Sequence, residues 1–419
     1  MRRDRRKNNT PRVEPIQKIQ VSGSHRTLRI WLVVLLAVLG ITLIVTSLVG
    51  MLSTNPGWVT ISTGQSPQES CSGDFYFQYL LGEGDQAANL EQRQVTDVYA
   101  QAAKDAYEMF HAEQSFPGVN NVWYLNQHVN EEVLVPQALY EAFSLLEKYE
   151  NRAIYLAPLY RQYVGLFLSN EDSVAQSYDP TKDDRAKAYV EEILAFTGAE
   201  EMIDLELLGE NRVKLRVSEA YLQYAREQEI TVFIDFNWMK NGFIVDYLAQ
   251  ELIQAGCTNG VLSSFDGFQR NLDTTYRSYR LNVFDRVGQN VYPAGVLEYT
   301  EITSMVTLRN YPTSELAVQQ YYQWKDGSYT SCHIDPTDGY SKSAVNDLTG
   351  YSRTLGCSKI LMQLFPVYVA DSLDETALAA LSGQGVETIY CKDYEIFTSD
   401  ASAAILQLYQ DENIAYRRQ

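Results

Sequence analysis

The chain has 419 residues, and its 34 Lys and Arg residues against 53 Asp and Glu residues give a formal net charge of −19. This acidic balance argues against nucleic acid as a partner, because phosphate binding requires clustered cations. Hydrophobic residues make up 45% and charged residues 21% of the chain, which excludes a wholly disordered protein and is typical of a globular one.

The charge is unevenly distributed along the chain. Residues 1–29 contain nine cations and two acids, whereas the remainder is strongly acidic. Next comes Ile30–Leu52, 23 residues without a charge, and about 20 apolar residues are enough for a helix to cross a bilayer. Residues 30–52 are therefore predicted to be a transmembrane helix, with a cleaved signal peptide as the alternative.

The flanking charges predict how such a helix would be oriented. Because cations favour the cytoplasmic side, residues 1–29 are predicted to be a cytoplasmic basic tail that also contacts the lipid bilayer. The chain is then a single-pass protein of the cell membrane, and its C-terminal part is extracytoplasmic. Residues 53–72 are rich in Ser, Thr, Gly, Pro and Gln, and this composition predicts a linker to a domain spanning residues 73–419.

Helical and strand patterns alternate in that domain, which predicts an α+β, or mixed α/β, fold. Helices are predicted at 90–112, 136–149, 183–196, 218–227, 240–255, 357–365 and 374–381. Strands are predicted at 212–217, 231–236, 260–265 and 386–391, with several more between 278 and 325. The run 231–236 is predicted to be a central strand, because it is short, apolar and rich in β-branched residues.

The sequence contains five cysteines, which are Cys71, Cys257, Cys332, Cys357 and Cys391. None has the spacing of a metal ligand, and only three histidines follow the apolar run, so a histidine-rich zinc site is not expected. An odd number leaves at least one cysteine unpaired in a monomer. Whether two of the others form a disulfide is left open.

Three segments stand out for their turn chemistry. The first, residues 235–246, reads DFNWMKNGFIVD and places an apolar strand-like run before a helix start. The second, residues 256–267, reads GCTNGVLSSFDG, and the third, residues 333–339, reads HIDPTDG. Helix N-termini present unpaired amides that suit anions and cofactors, while Asp, Pro and Gly define tight turns.

In this order the segments resemble motifs of the ApbE-type FAD:protein FMN transferases. That family has D-x-G-G-x-A-K-G-x-x-x-D, a strand ending in G-G-D, then H-I-x-D-P-x-T-G and a helical A-D-A-x-A-T, which corresponds to residues 357–362. Upstream, residues 122–126 and 152–167 resemble its S-x-L-N and G-A-F-D-P-T regions. The resemblance covers about residues 95–400. It implies an ApbE-like fold, with FAD and Mg²⁺ as cofactors if the family activity is retained.

The resemblance also implies which residues would contact the cofactor. These are Asn126, Asp235, Trp238, Lys240, Gly242, Asp335 and Gly339. For several of them a purely structural role is an open alternative. Asp235 is equally suited to cap the following helix, Asn126 to be a satisfied buried amide, Trp238 to fill the core, and Asp335 and Gly339 to maintain a turn.

Several departures from the family pattern affect the expected chemistry. The glycine pair becomes Asn237 and Trp238, and the family histidine position is Cys332, with His333 one place further on. The family's Asp and Thr ligands of Mg²⁺ correspond to Ser358 and Met362. Neither serine nor methionine supplies the charged oxygen that Mg²⁺ prefers, so no metal ligand is predicted there. The catalytic residues are left unassigned.

Three functions are compatible with this sequence. The favoured hypothesis is a membrane-anchored ApbE-like domain without metal-dependent flavin transfer that binds a flavin, a nucleotide or a protein. The first alternative is a divergent FMN transferase that modifies a Thr or Ser of a target flavoprotein, with metal ligands relocated to Asp266, Asp335 or Asp338. The second is a cell-envelope domain whose tyrosines, 30 in the chain, contact glycan or protein.

Overall fold

A computed structural model describes residues 55–419 of the chain. The predicted basic tail and the apolar run 30–52 lie outside the described residues. None of the helices of residues 55–419 is long and apolar enough to cross a membrane.

A nine-stranded sheet forms the centre of the described region. Its strands, in spatial order, are β1 (Gly57–Ile61), β2 (Phe75–Leu81), β6 (Gly260–Ser264), β7 (Phe268–Asn271), β10 (Thr303–Arg309), β13 (Asp347–Ser352), β14 (Glu387–Lys392), β15 (Glu395–Thr398) and β17 (Arg417–Arg418). All neighbours are antiparallel except β15 and β17. β1, at the start of the described residues, and β17, at their end, form the two opposite edges of this sheet.

Three helices cover one face of this sheet. They are α1 (Ala88–Phe110), α8 (Lys240–Gln254) and α9 (Cys357–Tyr368). α1 lies against β1 and β2, α8 against β6 and β7, and α9 against β10 and β13. Apolar residues at helical spacing, such as Val95, Tyr99 and Ala106 of α1, point into this layer and are almost completely buried.

The remaining elements complete a helical lobe and the second face of the main sheet. The lobe contains α2 (Val122–Gln127), α3 (Gln137–Lys148), α4 (Ala157–Phe167), α5 (Asp172–Ala175), α6 (Asp184–Thr197), α7 (Glu219–Glu227) and a small sheet of β3 (Glu132–Leu134), β4 (Ile203–Gly209) and β5 (Arg212–Val217). A third sheet contains β8 (Tyr279–Val287), β9 (Asn290–Tyr299) and β16 (Ala404–Leu406). The hairpin of β11 (Tyr321–Gln323) and β12 (Tyr329–Ser331) and helix α10 (Glu375–Ser382) fill the gaps between them.

Most of the predicted elements are confirmed within one to three residues. The helices predicted at 90–112, 136–149, 183–196 and 240–255 correspond to α1, α3, α6 and α8. Ser218 accepts a hydrogen bond from the Tyr221 amide and caps α7 as predicted. The predicted mixed α/β class is confirmed for the described residues.

The central strand predicted at 231–236 is wrong. This segment belongs to no sheet and bends at Phe233, although Phe233, Ile234 and Phe236 are buried as a central strand would be. Its backbone is paired by other groups: the Asn126 side chain bonds residues 233 and 234, and the Asp235 amide donates to the Ile154 carbonyl. Burial of the apolar run is therefore real, but a side-chain amide replaces the neighbouring strand.

The linker expected at 53–72 also differs from the structure. Residues 57–61 form strand β1, which pairs with β2 along its whole length, and Cys71 is buried against α1. The polar composition misleads here, because an edge strand needs only alternate apolar residues, and Val59 and Ile61 supply them. All five cysteines are free and buried, with no disulfide among them.

Candidate functional site

The N-terminus of α9 is bound by an internal carboxylate. Asp246 on α8 accepts hydrogen bonds from the Cys357 amide at 2.8 Å, the Ser358 amide at 2.9 Å and the Ser358 hydroxyl at 2.6 Å. Arg270 on β7 forms an ion pair with the same carboxylate at 2.8 Å. A carboxylate at a helix N-terminus satisfies unpaired amides and suits the helix dipole. The anion site of α9 is thus filled by the chain itself.

Trp238 lies in a buried aromatic cluster next to α9. Only 6% of this residue is exposed. Its indole donates to the Tyr160 hydroxyl at 2.7 Å, and its ring lies 4.6 Å from His333 and 5.2 Å from Phe365, measured between centroids. Burial lowers the pKa of His333 to about 3, so the imidazole is neutral at physiological pH. Trp238 therefore fills space between the lobe and α9 and has its polar group satisfied.

Asn126 is a satisfied structural amide. Its oxygen accepts from the amides of Phe233 and Ile234 at 2.8 and 3.0 Å, and its nitrogen donates to the Ile234 carbonyl at 2.9 Å. The residue is 4% exposed. The side chain thereby holds residues 233 and 234, before α8, in place through bonds to their backbone.

Asp235 and Lys240 lie on either side of the turn into α8. The Asp235 carboxylate accepts the Asn237 amide at 3.0 Å, and Asn237 has a φ of +51°. Burial raises the pKa of Asp235, and the nearby Lys240 opposes that rise. Lys240 is half-buried and also lies within electrostatic range of Asp74. Asp235 therefore closes the turn at Asn237, which precedes α8, and does not cap α8 itself, whose N-cap is Met239.

Gly242 and Gly339 permit close packing. A Cβ on Gly242 would lie 2.9 Å from the Phe268 ring, so α8 approaches β7 closely only with glycine at this position. Gly339 has a φ of +74°, and a Cβ there would lie 2.5 Å from Val190. Both positions are thus explained by the fold.

Asp335 opens a tight turn that a lysine holds. Its carboxylate accepts the Thr337 amide at 2.9 Å and hydroxyl at 2.7 Å. Lys342 then pairs with Asp335, Asp338 and Asp371 at 3.2, 2.5 and 3.0 Å. Hydrogen bonding to these carboxylates, Asp338 first, raises the pKa of Lys342. Asp335 and Asp338, two of the relocated metal ligands considered above, therefore already hold a cation of the chain.

Asp266, the third relocated candidate, has one hydrogen-bonded oxygen. Asn241 donates to Oδ2 at 2.9 Å, while Oδ1 of Asp266 and Oδ1 of Asn241 are buried without a partner. Burial raises the pKa of Asp266 to about 6. Asn241 occupies the position where the family motif has lysine, so the side chain that contacts this carboxylate carries no charge.

A cavity of about 550 Å³ opens beside Asp335. Its walls come from the turn after α3, the end of α6, the Asp335–Thr337 turn and the C-terminal end of α9. Asn126, Trp238 and Ser358 do not line it. The predicted cofactor residues therefore do not converge on one cleft: Asp335 borders a cavity, whereas Asn126, Trp238 and Ser358 are buried at separate points.

The residues at the family's Mg²⁺ position do not fit that ion. Ser358 has its hydroxyl on Asp246, and Met362 is 2% exposed and inside the core. Across residues 55–419, no group of three or more His, Cys, Asp or Glu side chains is arranged to hold a metal. The carboxylate that is present, Asp246, is neutralised by Arg270. The sequence alone did not predict a role for Arg270. The one indication was its position on the strand that directly follows residues 256–267.

Solved structures show what this fold is. The ApbE protein of Thermotoga maritima matches with a TM-score of 0.53 at 14% identity, over 84% of this chain and 97% of that one. The flavin transferase ApbE of Vibrio cholerae matches with a TM-score of 0.52 at 14% identity, over 86% and 98%. The chain therefore adopts the ApbE fold, as the resemblance implied. No protein-family model matches the sequence, and neither does any curated protein.

Proposed function

We propose that this chain is a membrane-anchored, extracytoplasmic ApbE-fold domain that has lost Mg²⁺-dependent flavin transfer and acts as a binding module. The observation that carries the proposal is the Asp246–Arg270 pair on the N-terminus of α9. Cleavage of a diphosphate requires cations placed on its oxygens. Here the helix amides and the nearby cation are already used by a carboxylate of the chain.

The aromatic cluster supports the same proposal. Trp238 replaces a glycine of the family motif, and its indole is enclosed by Tyr160, His333 and Phe365. An imidazole with a pKa of about 3 and no acidic partner is poorly suited to act as a general base near neutral pH. A flavin bound at this motif would have to displace the packed cluster.

The divergent transferase remains a second candidate because of the cavity beside Asp335. At about 550 Å³ it falls within the usual range for small-molecule sites. Glu150, Arg152 and Asp335 line it, and the Asp335 carboxylate is already paired with Lys342. The charges that line this cavity therefore do not exclude the diphosphate of FAD.

Titration of the full-length protein with FAD and Mg²⁺ tests the proposal. We expect no saturable quenching of flavin fluorescence, no AMP release and no FMN on a threonine-containing target peptide. An active ApbE transferase run in parallel shows that the assay works. Saturable binding followed by FMN transfer would overturn the proposal and establish the second candidate.

A double variant sharpens the test. Ser358→Asp with Met362→Thr restores the family's ligand types, but it places a second carboxylate beside Asp246. We expect a lower thermal midpoint without Mg²⁺, because like charges in contact repel, and a partial recovery with Mg²⁺ if the ion binds. Ser358→Asn with Met362→Thr is the matched uncharged control and should not respond to Mg²⁺.

A further inference from the structure

The domain begins very close to the predicted membrane segment. The apolar run ends at Leu52 and β1 begins at Gly57, so four residues separate them. At about 3.5 Å per extended residue, four residues reach at most ~14 Å. The inference below rests on the membrane anchoring in the proposed function. If that anchor holds, the domain has no long linker that could lift it from the bilayer.

The entry point of the chain is fixed against the rest of the domain. Pro56 contacts the loop after β2 so closely that a Cβ on Gly82 would lie 2.7 Å from its ring. The Gly82 amide donates to the Glu91 carboxylate of α1 at 2.7 Å. The surface around Pro56 is therefore the part of the domain that a short tether would bring to the membrane.

Large aromatic side chains are exposed at this entry point. Trp58 is 51% exposed, and its ring lies 6.0 Å from that of Tyr279 at the start of β8. Tyr276, three residues before Tyr279, is 74% exposed. Tyr279 itself is only partly exposed, and its hydroxyl donates to Asp273 at 2.5 Å, so it contributes its ring alone. We call Trp58, Tyr276 and Tyr279 the aromatic surface. Trp and Tyr favour the membrane–water interface, because their rings are apolar and their polar groups remain hydrated.

Charges around the aromatic surface are paired within the protein. Arg277 pairs with Glu83 and Asp273 at 2.6 and 3.3 Å, and Arg280 pairs with Glu298 at 3.2 Å. They leave no excess of cations for anionic headgroups. Contact with a bilayer would therefore depend on the aromatic rings and the tether, and it should respond little to ionic strength.

We propose that the aromatic surface of Trp58, Tyr276 and Tyr279 docks on the lipid headgroup region of the membrane that holds the anchor. The occupant is a lipid surface. A neutral phosphatidylcholine bilayer is sufficient, because the surface carries no net positive charge.

Site-specific fluorescence in the full-length protein tests this docking. All five native cysteines are buried, so a cysteine introduced at Tyr276 accepts an environment-sensitive label. In phosphatidylcholine nanodiscs we expect emission from Tyr276→Cys to shift to shorter wavelength and to be quenched by a lipid-borne quencher. Leu168→Cys directly after α4, at a residue that is 67% exposed, is the matched control and should show neither effect.

A second label site guards against an effect of the Tyr276 substitution itself. A Cβ on Gly84 would meet no atom within 4 Å, so Gly84→Cys reports on the same loop region without disturbing it. Its blue shift should disappear when Trp58→Ser and Tyr276→Ser are added. Water-like emission at both sites in protein retained in nanodiscs overturns the docking alone. Failure of the protein to remain in nanodiscs defeats the anchor and the docking together.

Discussion

The two ends of helix α9 differ in what they leave available. At the N-terminal end, Asp246 accepts the amides of Cys357 and Ser358 within 3 Å and is itself paired with Arg270. At the C-terminal end, Phe365, Pro366 and Val369 border a cavity of about 550 Å³. The ApbE fold therefore accommodates an internal ion pair at one end of this helix, while space for a ligand persists at the other.

The largest loss of stability is expected from removing the Asp246 carboxylate at the N-terminal end of α9. Asp246→Ala leaves Arg270 without its carboxylate and removes the acceptor for two amides and a hydroxyl. We expect the free energy of unfolding to fall by about 3–4 kcal/mol, measured by urea denaturation at pH 7. Asp371→Ala removes a carboxylate that is 86% exposed and should cost less than about 0.5 kcal/mol. Equal losses in both variants would contradict the ion pair's structural role.

Acid should destabilise the buried aromatic cluster through His333. Its pKa of about 3 in the folded protein lies below its ordinary 6.5, so folding favours the neutral form. This contribution is complete above pH 6.5 and is lost as the pH falls towards 3, by at most about 1.4 kcal/mol per pH unit. His333→Phe should flatten the stability profile between pH 6.5 and 4. An unchanged slope in His333→Phe would show that other groups cause the acid sensitivity.

Asp266 should make stability depend on pH in the direction opposite to His333. Its pKa of about 6 in the folded protein lies above its ordinary 3.8, so its contribution is complete below pH 3.8 and is lost as the pH rises through 6. The loss is at most about 1.4 kcal/mol per pH unit. Asp266→Asn should therefore raise the thermal midpoint at pH 7.5 and leave it nearly unchanged at pH 4. Asp371→Asn serves as the exposed control, and an equal gain in both would exclude burial as the cause.

The smallest change in stability is expected at the C-terminal end of α9, which borders the cavity. Ala370→Leu adds atoms into the cavity and should change the free energy of unfolding by less than about 0.5 kcal/mol. Gly356→Ala adds one methyl group at the N-terminal end of α9, 2.5 Å from the Asp246 carboxylate, and should lower the free energy of unfolding by about 1–3 kcal/mol. Chemical denaturation of the two variants compares the ends directly. A larger loss for Ala370→Leu would mean that the cavity closes in solution.

The sequence predicted the elements with strong periodicity better than the site. Helix α1 and strand β5 were identified because their apolar residues repeat at 3.6 and 2 residues, and α7 because Ser218 is a good cap. The run 231–236 is wrongly predicted to be a strand, because an apolar, β-branched sequence looks the same whether or not another strand lies beside it. The partner, Asn126, is more than 100 residues away in the chain.

The site residues show the same limit. The sequence established that residues 358 and 362 are Ser and Met and that a tryptophan stands where the related motif has glycine. It therefore established which oxygen ligands are missing. Only the tertiary structure decided what replaces them, because Asp246, Arg270 and Ser358 come from two helices and a strand that meet through packing rather than through spacing in the chain.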